Sequence, residues 1–365
     1  MGKFKVLHVS SALSWRGGEQ QLVNLIEGLN LLHPGLTQHL FCAKNSEIEV
    51  YCKENQISYS SGLKKSGISK TYISGLRKYI KEFNPAIIHI HDSHAHTAVV
   101  IAHKRLRSSI PIVLHRRVDF PVSKSILSNF KYKYKHIKKI IAVSSIIKKI
   151  VDDKLRLKAE VIHSSVRSQP ILSAKGQGSL REELTLDKEQ ILIGNISALA
   201  DHKDYPTFIE CASILCRKLD NIHFVIIGDG EQRGLIEKLI LEKKLENKVS
   251  LLGYRKDVNA LIHELDVFLM TSHMEGLGSV ILYAFTAEVP VVATNAGGIT
   301  DFVKHNITGL SSDPGDANHL SIHVEKVLKD KKLRDKLIGN AKQLAIENEF
   351  TEMASKTYEL YEEII

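Results

Sequence analysis

The feature that most constrains the fold is the regular alternation of short apolar runs with longer segments of helical periodicity. Residues 4–10 are typical of a buried strand, and apolar residues then recur at helical spacing from Leu22 to Leu29. Strands that alternate with helices in this way form parallel sheets covered on both faces. The sequence therefore predicts an α/β chain built from doubly wound parallel sheets.

The alternation runs through the chain and is interrupted once. Further strands are expected at 36–43, 87–91, 112–115, 140–144, 161–163, 191–196, 223–228, 249–252, 267–271 and 290–293. Helices are expected at 68–83, 145–157, 206–217, 235–244 and through most of 317–365. The Pro-, Gly- and Ser-containing stretch at 164–179 has no sustained period and indicates a linker. We therefore predict domains at 1–168 and 186–348, a linker at 169–185, and a C-terminal helix at 349–365 that packs toward the first domain.

The charge distribution supports two domains with different partners. The chain has 365 residues, which suits two domains. Residues 1–180 hold 29 Lys+Arg against 11 Asp+Glu, whereas the remainder holds 21 against 30. Four scattered cysteines without a Cys-x-x-Cys pair do not support a disulfide framework or a structural zinc site. With no apolar run of membrane-spanning length, we expect a cytoplasmic protein, with the inner face of the membrane as an alternative location.

Two segments of the first half follow predicted strands and carry polar chemistry. Residues 10–19 end in Arg16-Gly17-Gly18-Glu19 and open a helix, a pattern that brings backbone N–H groups near a phosphate or forms a plain turn. Residues 88–96 contain four histidines. The absence of a nearby carboxylate or cysteine cluster, apart from Asp92, disfavours a metal, and His89 is expected to be a core residue. A strand end is where such sheets bind polar ligands.

Three segments of the second half follow strands in the same way. Residues 194–204 place Lys203 after a strand, as a phosphate ligand or as an exposed loop lysine. Residues 271–284 carry Glu275 in a Gly-rich loop ahead of an apolar helix, and 294–301 form another Gly-rich loop. Free N–H groups at a helix start hold anions, and a carboxylate beside them can bind sugar hydroxyls.

Basic residues suggest where a second substrate binds. The segment 124–149 interleaves lysines with aromatic residues, a composition that suits an anionic membrane surface or a solvated helix face. Its docking candidates are Lys131, Lys133, Lys135, Lys138 and Lys139. The strand end at 115–120 supplies the acceptor-side candidates Arg116, Arg117 and Asp119, whose arginines suit phosphate or carboxylate.

These segments, in this order, are similar to the retaining, nucleotide-sugar-dependent glycosyltransferases of the GT-B fold, family four of the carbohydrate-enzyme grouping. The resemblance covers the whole chain and is most specific at Gly228-Asp229-Gly230, at 252–258, around Glu275 and at 297–301. It implies two Rossmann-like domains that face a central cleft. It also implies transfer of a sugar from a nucleoside diphosphate to a glycan or lipid-linked acceptor, in cell-surface polysaccharide or glycolipid biosynthesis.

The resemblance assigns roles residue by residue. His94 resembles the active-site histidine near the transferred sugar, Lys203 the cation that neutralises the diphosphate, and Glu275 the first glutamate of a Glu-x7-Glu motif. The implied diphosphate-binding residues are Gly17, Gly18, Asn195, Lys203, Gly278, Ser279 and Val280. The implied nucleoside-binding residues are Tyr254, Arg255 and Tyr283. No metal and no cofactor beyond the donor sugar nucleotide are implied, and the sequence contains no Asp-x-Asp.

Two positions depart from the family pattern. Tyr283 stands where the second glutamate of Glu-x7-Glu belongs, and a tyrosine cannot accept two ribose hydroxyls as a carboxylate does. Asn195 stands where an arginine usually accompanies the lysine, which removes one positive charge from the diphosphate site. These departures keep open a non-catalytic nucleotide-binding relative and another GT-B enzyme, such as a sugar-nucleotide epimerase or phosphorylase. A nucleic-acid binder is disfavoured because no recognition motif accompanies the basic half.

Overall fold

Two parallel sheets organise the chain. The computed structural model describes residues 4–65, 67–121, 125–155 and 157–365, so that Lys124 of the predicted basic segment lies outside the described residues. Unit 1 comprises Met1–Ser165 with Phe350–Ile365, and unit 2 comprises Val166–Glu349. The predicted α/β class with two doubly wound sheets is confirmed.

The sheet of unit 1 has seven strands in the order β3-β2-β1-β4-β5-β6-β7, with every described pair parallel. The strands are β1 (Lys5–Val9), β2 (Thr37–Ala43), β3 (Tyr59–Gly62), β4 (Ile87–Ile90), β5 (Ile112–Arg116), β6 (Ile137–Ala142) and β7 (Ala159–Val161). Helices follow the strands: α1 (Gly17–Leu32), α2 (Glu47–Glu54), α3 (Lys70–Phe83), α4 (Ser93–Leu106), α5 (Ile126–Tyr132) and α6 (Ser145–Asp152). All four residues of β4 are buried, as expected for a strand covered on both faces.

The sheet of unit 2 has six strands in the order β10-β9-β8-β11-β12-β13, again parallel. After α7 (Ser168–Ser173) and α8 (Leu180–Glu183), the strands are β8 (Ile191–Ile196), β9 (Ile222–Ile227), β10 (Val249–Gly253), β11 (Val267–Met270), β12 (Val291–Thr294) and β13 (Leu310–Ser312). The other helices are α9 (Tyr205–Cys216), α10 (Arg233–Glu242), α11 (Val258–Leu261), α12 (Val280–Thr286), α13 (Ile299–Phe302), α14 (Ala317–Lys329) and α15 (Lys331–Ile346). Short 3-10 turns lie at Asp201–Lys203 and Ile262–Glu264.

The range 169–185, expected to be a linker, contains α7 and α8 and lies in unit 2. Leu180 is fully buried, and the Glu264 carboxylate accepts the backbone N–H groups of Leu180 and Arg181 at 2.8 and 3.0 Å. These contacts come from residues distant in sequence. Local composition therefore gives no sign of them.

The last helix, α16 (Phe350–Glu362), packs against α1 within unit 1. Gly28 of α1 allows this approach, because a Cβ atom there would stand 2.7 Å from the Ala354 Cβ and 2.9 Å from the Phe350 carbonyl oxygen. Tyr361 is fully buried, and its hydroxyl lies 2.6 Å from the His89 Nδ1. The C-terminal segment thus completes the core of unit 1. Among the described residues, no helix combines the length and apolarity needed to cross a bilayer.

Two strands were not expected from the sequence. Residues Tyr59–Gly62 and Leu310–Ser312 form β3 and β13, each at an edge of its sheet. Both are short, and β3 contains two serines and a glycine instead of an apolar run. Edge strands pair on one side only and carry weaker sequence signals than central strands.

Replacing Gly28 with alanine tests the contact between α1 and α16. We expect Gly28→Ala to lower the free energy of unfolding by ~1–3 kcal/mol, the usual effect of overpacking. Gly339 in the interior of α15 is the matched control, because a Cβ atom there meets nothing within 4 Å. Gly339→Ala should raise stability by ~0.5–1 kcal/mol through helix propensity. Urea unfolding of both variants measures the difference, and an equal gain for both would contradict the packing.

Candidate active site

Three loops at the carboxyl edge of the unit 2 sheet are joined by hydrogen bonds. The Thr271 hydroxyl, at the end of β11, donates to the carbonyl oxygens of Lys203 and Asp204 at 3.1 and 3.0 Å. The Thr294 hydroxyl, at the end of β12, donates to the Ser272 carbonyl at 2.6 Å. The loops after β8, β11 and β12 are therefore held in one arrangement.

Gly297 and Gly298 bring the β12 loop onto the β11 loop. The Gly298 N–H donates to the Glu275 carbonyl oxygen at 2.8 Å. A Cβ atom at Gly297 would stand 2.3 Å from that oxygen, and one at Gly298 would stand 2.2 Å from the Gly276 carbonyl oxygen. No larger residue fits at either position without backbone movement, so the two glycines fix the backbone around Glu275.

Lys203 and Glu275 form an ion pair at the centre of this edge. Lys203 ends the 3-10 turn after β8, and its Nζ contacts the Glu275 carboxylate. The two side chains are only 13% and 14% exposed. Partial burial strengthens the attraction and fixes both groups. The structure thus brings together two of the predicted catalytic residues.

The predicted helix start lies in the same loop system. Gly278 adopts φ +74° and turns the chain into α12, which begins at Val280 after Ser279 as its N-cap. A helix leaves its first N–H groups without intrahelical partners. The backbone N–H groups of these residues can therefore donate hydrogen bonds to an anion.

The Asn195 side chain points into unit 2, which corrects its predicted place among the diphosphate ligands. It is 3% exposed, and its Nδ2 donates to the Leu269 carbonyl at 2.7 Å. Its Oδ1 accepts from the hydroxyls of Ser197 and Tyr205 at 2.8 and 3.0 Å. The amide thus ties β8 to β11 and to α9, a role that an arginine cannot fill.

Among the predicted nucleoside residues, Arg255 is already paired. Its guanidinium donates to Glu183 at 2.7 and 3.0 Å and to Asp257 at 2.6 and 2.8 Å, contacts that raise the pKa of Arg255. The same pairing lowers the pKa of Glu183 to about 2. Arg255 therefore fixes α8 to the β10 loop, and its predicted nucleoside contact stays a prediction. Tyr254 is 70% exposed and open to stacking, and Tyr283 of α12 is half-buried.

In unit 1, Asp92 joins the loops that follow β1 and β4. Its carboxylate accepts from the Ser11 N–H at 2.6 Å and the Ser11 hydroxyl at 2.8 Å. It also caps α4 by accepting from the N–H groups of His94 and Ala95 at 2.9 and 2.8 Å. His94 is exposed on the first turn of that helix. An aspartate between a strand and a helix is an N-cap signal that sequence analysis could have used.

The predicted glycine loop is contacted by Arg117. Gly17 and Gly18 begin α1, and the Arg117 guanidinium donates to the Gly18 carbonyl oxygen and, at 3.3 Å, to the His91 Nδ1. Burial lowers the pKa of Arg117 to about 10.

Arg116 is 6% exposed and donates to the Tyr132 hydroxyl and the Phe120 carbonyl. The half-buried Asp119 lies in the loop after β5.

Four buried histidines lie across β1, β4 and β5, and they include His89, as predicted for a core residue. Ring nitrogens of His8, His89 and His91 approach within 4.8 Å of one another, a spacing compatible with a metal ion. However, a guanidinium group can only donate, so the His91 Nδ1 must accept from Arg117. The neutral His91 ring therefore has its proton on Nε2, which donates to the His8 Nδ1 at 3.0 Å. His8 then donates to Gln38 at 3.0 Å. This directed chain occupies the ring nitrogens of His8 and His91.

Two of the predicted membrane-docking lysines are not freely exposed surface charges. Lys131 is 7% exposed, and its Nζ donates to the Ser93 hydroxyl at 2.8 Å, so this residue is an interior one. Lys139 pairs with Glu160 and Glu363 at 2.5 Å each, which cancels its charge. The other three, Lys133, Lys135 and Lys138, are exposed.

Comparison with known proteins identifies the family and the fold to which the chain is similar. The model of Glycosyltransferase Family 4 matches residues 15–168, and the model of glycosyl transferases group 1 matches 177–344. The Rickettsia africae glycosyltransferase structure has a TM-score of 0.85 at 21% identity, covering 100% of this chain and 99% of that chain. Anabaena HepE in complex with UDP-glucose has a TM-score of 0.84 at 20% identity, covering 99% and 100%. At these identities the likeness shows the fold.

Curated relatives match shorter regions. The 2-deoxystreptamine N-acetyl-D-glucosaminyltransferase of Niallia circulans is 32% identical over 43% of this chain and 40% of its own length. The alpha-D-kanosaminyltransferase of Streptomyces kanamyceticus is 28% identical over 71% and 65%. The capsular polysaccharide biosynthesis glycosyltransferase CapM of Staphylococcus aureus is 26% identical over 53% and 56%. The chain thus spans less than two thirds of the length of each of these relatives.

The buried histidines predict a pH-dependent stability of unit 1. Burial lowers the pKa of His8 to about 4 and holds the pKa values of His89, His91 and His115 well below the usual range. Below about pH 6.5 the unfolded chain binds protons that the folded chain does not, so stability decreases as pH falls, with a limiting slope of ~1.4 kcal/mol per pH unit per histidine.

His115→Leu removes one of these groups and should make the pH dependence shallower. Urea unfolding at about pH 7 and about pH 5.5 measures it. Fluorescence of Trp15 reports unit 1 alone, because it is the single tryptophan of the chain. An identical loss of stability in the variant and the wild type would contradict a buried neutral His115.

Proposed function

Since the chain belongs to the GT-B glycosyltransferases of the family-four type, we propose that it transfers a sugar from a nucleoside-diphosphate sugar to a glycan or lipid-linked acceptor. We propose that the anomeric configuration is retained and that the product enters cell-surface polysaccharide or glycolipid synthesis. The family match supports the class of reaction. The role of CapM in capsular polysaccharide biosynthesis supports the pathway class.

The observation that carries the proposal is the Lys203–Glu275 pair at the carboxyl edge of unit 2. An ammonium group has three donors, and one carboxylate contact leaves others for phosphate oxygens. The N–H groups at the start of α12 lie in the adjoining loop and favour negative charge. Lys203 and α12 would hold the diphosphate, and Glu275 would accept hydroxyls of the donor sugar.

The chemistry demands stabilisation of the leaving diphosphate more than activation of the acceptor. As the anomeric C–O bond breaks, negative charge develops on the phosphate oxygen and positive charge on the sugar ring. The departing phosphate oxygen can take the acceptor proton while the acceptor oxygen bonds to the same face. Lys203 then stabilises the product diphosphate. This route calls for no protein base and no bound metal.

Replacing Lys203 tests the donor site. We expect Lys203→Ala to weaken UDP binding about 10- to 100-fold, since a charged hydrogen bond contributes ~1.5–3 kcal/mol. Turnover should fall about 100- to 1,000-fold, because the lost charge acts most strongly on the developing phosphate anion. UDP is the first probe because the HepE structure contains a uridine sugar nucleotide.

Calorimetric titration with UDP and a product assay with UDP sugars measure the two effects. Lys238→Ala is the control, because Lys238 is an exposed lysine of α10 whose partner is Glu242 at 3.6 Å. Unchanged UDP affinity in Lys203→Ala would exclude the assignment. A wild-type chain that binds UDP and sugar nucleotides but forms no product would instead be a non-catalytic relative.

The stereochemical outcome is a separate prediction. We expect an α-linked donor sugar to give an α-linked product, since attack and departure occur on one face of the ring. Proton NMR of the first product formed, recorded before any spontaneous anomerisation, distinguishes α from β by the anomeric coupling. A β-linked first product would exclude retention while leaving glycosyl transfer intact.

A further inference from the structure

Four cations lie at the carboxyl edge of the unit 1 sheet, and one of them contacts the first turn of α4. They come from the segment after β3, from the end of β5 and from α5: Lys64, Arg116, Arg117 and Lys131, here named the cation cluster. Lys64 donates to the Ser11 carbonyl at 2.6 Å, and Ser11 in turn donates to Asp92. Lys131 donates to the Ser93 carbonyl and hydroxyl at 3.1 and 2.8 Å.

Among the described residues, the hydrogen-bond partners of the cation cluster are neutral groups. Arg116 donates to a phenol and a carbonyl, and Arg117 to a carbonyl and an imidazole nitrogen. Over the described ranges, no carboxylate oxygen lies within 4 Å of a charged nitrogen of any cluster member. Two of the four side chains, Arg116 and Lys131, are more than nine-tenths buried. The Nε atoms of Arg116 and Arg117 are buried and have no partner among the described groups.

The charge at this edge is therefore incompletely balanced. Asp92 and Glu19 are the carboxylates that favour the charged forms of Arg117, and Asp92 does the same for Lys131. Burial and the nearby Arg116 lower the pKa of Lys131. All four hydrogen bonds to the Asp92 carboxylate come from Ser11 and the first turn of α4. Partly buried like charges destabilise one another unless an anion joins them.

We propose that the cation cluster binds a phosphate group of the acceptor. The proposal rests on the proposed function, because it names the chemistry of the acceptor in that transfer. A phosphate has several oxygens that can accept from lysine and arginine together, and arginine matches its geometry. Lys131 contacts Ser93, the residue next to the exposed His94. A phosphate held here places the rest of the acceptor beside the predicted active-site histidine.

The test compares neighbouring lysines that differ in their contacts. Lys64→Gln removes a cluster charge from a half-buried residue, whereas Lys65→Gln removes the adjacent exposed charge. Calorimetric titration with inorganic phosphate uses the full chain carrying Lys203→Ala, so that phosphate binding at the proposed donor site is weakened. We expect Lys64→Gln to weaken phosphate binding about tenfold and Lys65→Gln to leave it unchanged, since a tenfold change corresponds to ~1.4 kcal/mol.

Lys131→Gln should have the same effect as Lys64→Gln, provided that Trp15 fluorescence shows unit 1 to be folded. Two further arms identify the source of the phosphate: soluble glycerol 1-phosphate by calorimetry, and sedimentation with phosphatidic acid vesicles. The arm in which Lys64→Gln loses binding shows whether the phosphate is free or on a lipid, and either result supports the proposal. Equal binding by Lys64→Gln and Lys65→Gln, or no binding in any arm, overturns it.

UDP titration of the wild type separates this inference from the proposed function. A chain that binds UDP but shows no cluster-dependent phosphate binding keeps the donor site and loses the phosphate acceptor. If the chain binds phosphate through Lys64 but does not bind UDP, the phosphate site is real. It is then not the acceptor site of a sugar-nucleotide-dependent transferase.

Discussion

Parallel pairing of the strands is the constraint on which the remaining structure depends. Because every described strand pair in each sheet is parallel, all strand carboxyl ends of a unit lie at one edge. Polar residues that follow separate strands of one sheet then become neighbours. In unit 1, Asp92 after β4 contacts Ser11 after β1, and in unit 2, Lys203 after β8 contacts Glu275 after β11. The chemistry of each unit is concentrated at that edge.

Hydrogen bonds between loops turn this proximity into fixed geometry. In unit 2, Thr271 and Thr294 bond to backbone carbonyls of neighbouring loops, and the paired glycines at 297–298 allow backbone contact. In unit 1, Asp92 performs the same function with a single carboxylate. Preorganised donors stabilise a developing charge more effectively than mobile ones, because they need no reorganisation during the reaction. Rigid loops at the strand ends are therefore part of the proposed mechanism.

The sequence predicts the central strands well because they are continuous apolar runs, and it places Lys203 and Glu275 each in a loop that follows a predicted strand. It does not predict which cations are free. Lys131 belongs to a lysine-rich segment whose composition predicts an exposed surface, yet long-range packing buries it against Ser93. Arg255 and Asn195 occupy family site positions, but partners distant in sequence hold their side chains. The burial and pairing of these side chains depend on tertiary contacts that no local sequence pattern encodes.

A crystal structure with UDP shows whether Lys203 and Glu275 form the donor site. We expect diphosphate oxygens within hydrogen-bond distance of the Lys203 Nζ and of N–H groups at the start of α12. We also expect the Lys203–Glu275 contact to lengthen or to become shared as phosphate binds. A diphosphate bound away from the loops after β8 and β11, with the Lys203–Glu275 pair unchanged, would exclude this donor site.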